Sequence, residues 1–455
     1  MCVMVGAGAG VGAGAAVLHF AAMRIVYATM QFGRGYSQGT ERYLTILSAE
    51  MRRRGHETFV LAGDPERRGG RAALGERVGD EPVTLAYPSH GWMSVVGMSP
   101  GWLVGLLREL RPELVHLVNP GHIGVGICAA ARELGVPTVA TIVDYWWHCP
   151  KHTLLRSDNV ICAGNRPASE CAPCIAADRP GSKRESLARV PLVRSMMLPV
   201  LYAGRWLAGG VPLGEVRNWM NRPGLLRHEM NLLDGIIFLS QAARRRFEPL
   251  LSKPRTTVIY NGLETEWFAD SPSARNAPRG EGEGLVLGYA GALAAHKGVH
   301  LILEALRELK WGDVRLRIAG GGEAEYEARL REAARGLQVE FVGRVPPGEM
   351  PGFLRSLDAL IVPSVWPENL PMVVFEAYAS GIEVLGSNVD GIAEIVGDPE
   401  CLFDVNSAAS LAARLRAWRE APRGQRPHQV HRAVEMADAT AAFYEQVRGL
   451  AKTPS

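Results

Sequence analysis

The stretch Pro363-Ser364-Val365-Trp366-Pro367-Glu368-Asn369-Leu370-Pro371-Met372-Val373-Val374-Phe375-Glu376 decides the fold. The apolar run from Leu357 to Val362 leads into it and reads as a buried parallel strand. Proline suits the first turn of a helix and not its middle, so the spacing predicts a helix from about Pro371, with Asn369 or Leu370 at its cap and an end before Gly381. Glu368 then lies in the loop ahead of the helix and Glu376 about one and a half turns inside it. Helix-start amides and the positive dipole end fall between the two acids, an anion site at the carboxyl end of a strand. Carboxylates flanking such a site suit sugar hydroxyls better than the anion, and a nucleoside diphosphate carrying a sugar has that layout. The alternative is a solvated loop acid and an unrelated helix acid. Against it, Glu376 stands among Val373, Val374, Phe375, Ala377 and Tyr378, where a carboxylate needs a partner or a wet cleft.

The chain has 455 residues, enough for two or three domains. It is 47% hydrophobic and 21% charged, a globular balance, and a net charge of +3 makes no electrostatic case for a nucleic-acid partner. Residues 1–22 hold no Lys or Arg and make a poor signal peptide. Gly8, Gly10 and Ala13 mimic a dinucleotide fingerprint, but no strand precedes them, so this segment reads as an N-terminal extension with Met23 opening the fold. Four of the seven cysteines cluster: Cys149, Cys162, Cys171 and Cys174. Without a secretory signal a disulfide framework is not expected. Cys171-X-X-Cys174 has a zinc-ligand spacing, and the four are candidate ligands of one structural zinc, reduced buried thiols being the alternative.

Outward from the two-glutamate unit, strands and helices alternate through both halves. Met23 to Ala28 is a strand, Gln31 to Thr40 a glycine-rich loop, Glu41 to Arg54 an amphipathic helix and Thr58 to Ala62 the next strand, a βαβ opening. Gly39 would let the backbone approach a ligand, or serve as a flexible turn. Asp144 follows the strand Thr138 to Ile142, on the ligand side of such a sheet. The stretch 179–219 mixes Lys183, Arg184, Arg189, Arg194 and Arg205 with apolar residues and is interrupted by Pro199 and Gly209-Gly210; it reads as an interfacial amphipathic segment or a helix pair packed on the domain. Ser271 to Gly284 is polar, Pro/Gly-rich and aperiodic, a linker. In the second half, strand Leu285 to Tyr289 leads to His296-Lys297-Gly298 and a helix, where Lys297 suits a phosphate as a point charge. Strand Val314 to Ala319 ends in Gly320-Gly321-Gly322, and Gly343-Arg344 follows the next strand. The expected organisation is an extension (1–22), a first domain (23–268) with 430–450 crossing back onto it, a linker (269–284) and a second domain (285–425). The fold class is α/β, two doubly wound parallel sheets facing across a ligand cleft.

Together these residues resemble the retaining nucleotide-sugar glycosyltransferases of family 4, which have the GT-B fold of two facing Rossmann-like domains. The resemblance covers Met23 to about Leu450. It is carried by Gly39-Thr40-Glu41, Arg54-Gly55-His56-Glu57, Asp144-Tyr145-Trp146, Cys149-Pro150, Ser240, Asn261-Gly262, His296-Lys297-Gly298, Gly320-Gly321-Gly322, Trp366-Pro367-Glu368-Asn369 through Glu376, and Asp390-Gly391-Ile392-Ala393-Glu394. It implies that Lys297 contacts the donor diphosphate, Glu368 holds the transferred sugar and Glu376 the ribose. Backbone amides near Leu370, Pro371 and Met372 and around Gly39 would help, with Asn369, Gly321 and Arg344 at the donor site and Asp144 near the reaction centre. Three positions depart from the family pattern: Ala292 stands where a second phosphate cation is common, Val143 where a histidine is common, and Glu383 where a proline is usual. The implied activity is transfer of a sugar from a UDP- or GDP-sugar to a hydroxyl of a glycan or lipid-linked acceptor. No cofactor is required, and the expected location is cytoplasmic, peripheral on an anionic inner membrane face. The alternatives are a nucleotide-sugar epimerase on the same fold and a degenerate relative that only binds nucleotide-sugar.

Overall fold

The computed structural model describes residues 21–32, 39–63, 73–78, 81–86, 97–156, 158–177, 220–252, 254–268, 284–420 and 429–451. The leader up to residue 20, loop residues 33–38, the basic stretch 179–219 and linker residues 269–283 lie outside them.

Eight strands build the first sheet: β1 (Arg24–Thr29), β2 (Glu57–Gly63), β3 (Ala73–Val78), β4 (Glu81–Ala86), β5 (Leu114–Asn119), β6 (Thr138–Ile142), β7 (Gly235–Phe238) and β8 (Arg255–Val258), in the order β3-β4-β2-β1-β5-β6-β7-β8. The second sheet has six: β9 (Leu285–Ala290), β10 (Val314–Ala319), β11 (Val339–Gly343), β12 (Ala359–Val362), β13 (Glu383–Ser387) and β14 (Leu402–Phe403), in the order β11-β10-β9-β12-β13-β14. Their pairs are parallel, and the central strands β9 and β12 are the apolar runs expected of strands covered on both faces. One pair departs from the expected parallel pattern. β3 runs antiparallel to β4 at the sheet edge, because a connection of two residues can only reverse the chain. In each sheet the strand order reverses beside the first strand, β1 or β9, so the loops that leave β1, β5, β9 and β12 open on a crevice.

Helix α1 (Gly39–Arg53) buries Tyr43, Leu44, Leu47 and Met51 on one face, and Gly55, at φ +86°, ends its run. Helices α2 (Ala168–Ala177), α3 (Gln241–Phe247), α4 (Val299–Leu309), α5 (Met372–Ala379), α6 (Asp390–Val396) and α7 (Ala433–Ala451) matter below. Ser240 caps α3, its hydroxyl accepting from Ala243 N at 3.1 Å. Helix α7 returns to the first domain, where Arg54 joins Asp438 at 2.7 Å and Tyr444 enters the core.

Below α7, His116 is fully buried, with Nδ1 2.5 Å from the Tyr444 hydroxyl and Nε2 2.7 Å from the Thr141 hydroxyl. Burial pushes its pKa down to about 3, and burial likewise holds His148 and His296 near 4. As pH falls, the unfolded chain takes up these protons first, so stability present above pH 6.5 is lost as pH falls toward those values. The midpoint of thermal unfolding should therefore drop between pH 6.5 and pH 4. His116→Gln, which does not titrate, should flatten that dependence; an unchanged slope would show that His116 contributes nothing to it.

Candidate active site

The loop between β12 and α5 carries Glu368. Its neighbours hold it by local geometry: Ser364 and Trp366, four and two residues earlier, donate to Oε1 at 2.7 and 2.8 Å. Lys297 donates to the same oxygen at 2.6 Å and lies 5.0 Å from the centre of the Trp366 ring. Glu368 Oε1 thus takes three donors while Oε2 takes none among the described residues. Burial opposes ionisation of Glu368, but Lys297, with Ser364 and Trp366, overrides it and keeps the carboxyl below its usual range. Lys297 arrives through a one-turn helix closed by Gly298 at φ +72°; a Cβ there would strike the Pro363 carbonyl, so glycine is required for the two loops to meet.

Helix α5 begins at Met372 with Pro371 at its N-cap, slightly later than the spacing predicts, because proline supplies no amide to start the ladder. Leu370 and Met372 are buried, so this turn can offer a ligand its backbone amides and not its side chains. Glu376, one turn inside, is buried and paired across the cleft with Arg42 of α1. Arg42 also reaches Glu264 at 3.1 Å and lies over the Trp267 ring. Burial raises the Glu376 pKa and Arg42 only partly offsets it.

The remaining expected residues divide. Gly39 opens α1 with free space where a Cβ would stand. Gly320-Gly321-Gly322 presses on the Gly291–Leu293 turn, and exposed Arg344 lies against Gly321. Asn369 is committed to the first domain: its amide donates to the Ile142 carbonyl and its oxygen lies 3.3 Å from the Ser240 hydroxyl. Asp144 sits at the end of β6, accepting from Asn119 Nδ2 at 2.5 Å, Trp146 N at 2.8 Å and His152 Nδ1 at 3.0 Å.

Residues 37–166 match the family described as Glycosyltransferase Family 4, and residues 270–435 match Glycosyl transferases group 1, together more than half of the chain. The chain belongs to the family 4 glycosyltransferases. It is 31% identical over 243 residues to the phosphatidyl-myo-inositol mannosyltransferase of Mycolicibacterium smegmatis, covering 50% of this chain and 61% of that one. It is 31% identical over 176 residues to the lipopolysaccharide 1,2-N-acetylglucosaminetransferase of Salmonella typhimurium, covering 36% and 46%. The match thus spans about half the length of these curated relatives. Among solved structures, Anabaena HepE in complex with UDP and glucose superposes with a TM-score of 0.61 at 17% identity, covering 93% of this chain and 99% of that one, which shows the GT-B fold.

Membership in the family leaves the clustered cysteines unexplained. Cys149, Cys162, Cys171 and Cys174 are free, and among the described residues no three His, Cys, Asp or Glu side chains are placed to hold a metal ion. Cys171, on α2, donates toward the Arg166 carbonyl at 3.6 Å, Cys162 accepts from Gly164 N, and burial, with the nearby thiols of Cys149, Cys162 and Cys174, pushes the Cys171 thiol up to about 12. The reading of the sequence also gave no partners to the charges that join the domains. Arg42 was one turn of an ordinary amphipathic helix, and only its position after Gly39-Thr40-Glu41 marks it. Asp390 binds Arg246 through both oxygens and accepts from the Tyr145 hydroxyl at 3.1 Å. Glu394 accepts from Gln241 N and Ala242 N at 2.8 and 2.6 Å, a carboxylate of one domain on the helix start of the other.

Proposed function

We propose that this chain is a retaining glycosyltransferase that moves a sugar from a UDP- or GDP-sugar to a hydroxyl of a glycan or lipid-linked acceptor. The observation that carries the reading is Glu368, ionised by Lys297 in the cleft with Oε2 left for a sugar hydroxyl. Lys297 would exchange this carboxylate for the donor diphosphate, and the α5 amides would share the phosphate charge that builds as the bond breaks. The acceptor would attack on the face from which the phosphate leaves, its proton passing to that phosphate, so the anomeric configuration is kept. Glu376, with Oε1 on Arg42, would offer Oε2 to the ribose. The names of the two curated relatives, a phosphatidylinositol and a lipopolysaccharide glycosyltransferase, support a membrane-associated acceptor. UDP is the first probe because the Anabaena protein binds it.

A thermal-shift panel of UDP-glucose, UDP-N-acetylglucosamine and GDP-mannose, followed by assay of nucleotide release, tests the reading. A donor at 100 times its dissociation constant should stabilise the chain by about 2.7 kcal/mol. No shift and no release with any of them would reject it; a shift with no release under any acceptor would favour the non-catalytic binding protein.

Among the described residues no helix is long and apolar enough to cross a membrane. A peripheral site on an anionic surface would fall to the stretch 179–219, whose basic residues would each contribute about 1 kcal/mol near such a surface. In co-sedimentation with phosphatidylglycerol-containing vesicles, the Arg184/Arg189/Arg194 triple glutamine variant should bind less than wild type; equal binding rejects this placement.

A further inference from the structure

We propose that His152, held by Asp144, receives the attacking hydroxyl of the acceptor, an assignment that rests on the glycosyl-transfer reading above. The Asp144 carboxylate is fixed by Asn119 Nδ2 and Trp146 N before it meets His152 Nδ1 at 3.0 Å. A carboxylate only accepts, so the proton of a neutral imidazole is on Nδ1 and Nε2 presents a lone pair. Nε2 has no partner among the described residues, and the side chain is 23% exposed. The backbone is strained to bring this about: His152 is at φ +65° and Asn119 at φ +135°. The turn is pinned by His152 N donating to the Cys149 carbonyl at 3.0 Å and Tyr145 N donating to the His152 carbonyl at 3.2 Å.

The loop that carries His152 faces the donor side. Leu155, three residues on, packs with Leu301 and Val365, and Trp366 joins this contact. Trp366 is the residue that donates to Glu368 and underlies Lys297. The loop that carries the imidazole thus borders, from the first domain, the strand and loop that hold the Lys297–Glu368 pair. A hydroxyl donating to Nε2 gains nucleophilicity and a fixed direction. As the new bond forms that proton passes to Nε2, and the departing phosphate takes it from the imidazolium.

The test uses the full-length chain, with UDP-glucose or whichever panel donor it turns over, and water as the acceptor. His152→Ala should lower nucleotide release by roughly 10²-fold, in the range for a positioned proton acceptor, while the thermal shift with UDP stays at the wild-type value. His152→Gln, whose side-chain oxygen can accept near the place of Nε2, should retain more activity than alanine. Asp144→Asn, which removes the charge that selects the tautomer, should lower the rate without the loss of UDP binding that unfolding would cause. Wild-type release by His152→Ala would overturn the assignment, and so would loss of the UDP shift in both His152 variants. If the wild-type chain released nucleotide from none of the donors, the glycosyl-transfer reading would fall and this assignment with it.

Discussion

Replacing Glu368 with glutamine is expected to lower turnover by roughly 10²- to 10³-fold, the cost of removing a preorganised group that meets charge as it develops. Glutamine keeps the size of the side chain. Its oxygen can take the place of Oε1 and still accept from Ser364, Trp366 and Lys297. The nitrogen then replaces Oε2, so the sugar meets a donor where it had met a charged acceptor. If Glu368 holds the reacting sugar, that difference grows as positive charge builds at the anomeric carbon, and the loss appears in kcat more than in KM. Lys297→Ala should damage both constants, because the diphosphate is handle and leaving group at once. Steady-state kinetics with the donor found by thermal shift measures this. Transfer at the wild-type rate by Glu368→Gln would remove Glu368 from the chemistry, and a fall confined to KM would place the chemistry elsewhere in the cleft.

Arg42→Ala should raise the donor KM by one to two orders of magnitude with a smaller change in kcat. The guanidinium comes from the first domain and is the cation on buried Glu376 of the second, so under the proposed function it would tie domain closure to the ribose. Breaking a buried pair by removing one partner costs about 3–5 kcal/mol when the other charge stays buried. Here the cleft can open and hydrate Glu376, which limits the loss. If Glu376 holds the ribose as proposed, Glu376→Gln should weaken donor binding by roughly 1–3 kcal/mol. The two residues touch, so the double variant should lose less than the sum of the singles. Small-angle scattering should show a wider cleft in Arg42→Ala. Additive losses with unchanged scattering would mean that Arg42 supports its own helix and not closure.

Much of the architecture is local and so could be read along the chain. The unbroken apolar runs of β9 and β12, the glycine that ends the turn after Lys297, and the prolines that delay α5 until Met372 are each set by neighbouring residues and elementary sterics. That is why the strand–loop–helix carrying Glu368 and Glu376, and Lys297 on the loop after β9, were legible. What pairs with what was not. Arg42 and Glu376 are 334 positions apart, Arg246 and Asp390 are 144 apart, and neither pair leaves a periodic trace. Lys297 suited a phosphate in the sequence, but its pairing with Glu368 across 71 positions appears only when β9 and β12 become neighbours. The cysteine spacing is a different case, since Cys171-X-X-Cys174 is short-range while a metal site needs four groups to agree in three dimensions. His152 lies only eight residues from Asp144, yet the two meet through a left-handed backbone that no propensity favours in histidine. The sequence by itself determined the elements and the loop that offers two acids to a ligand. Only the tertiary structure decided which charges face those acids, because charge pairing depends on distances that the packing of two sheets sets and sequence separation does not.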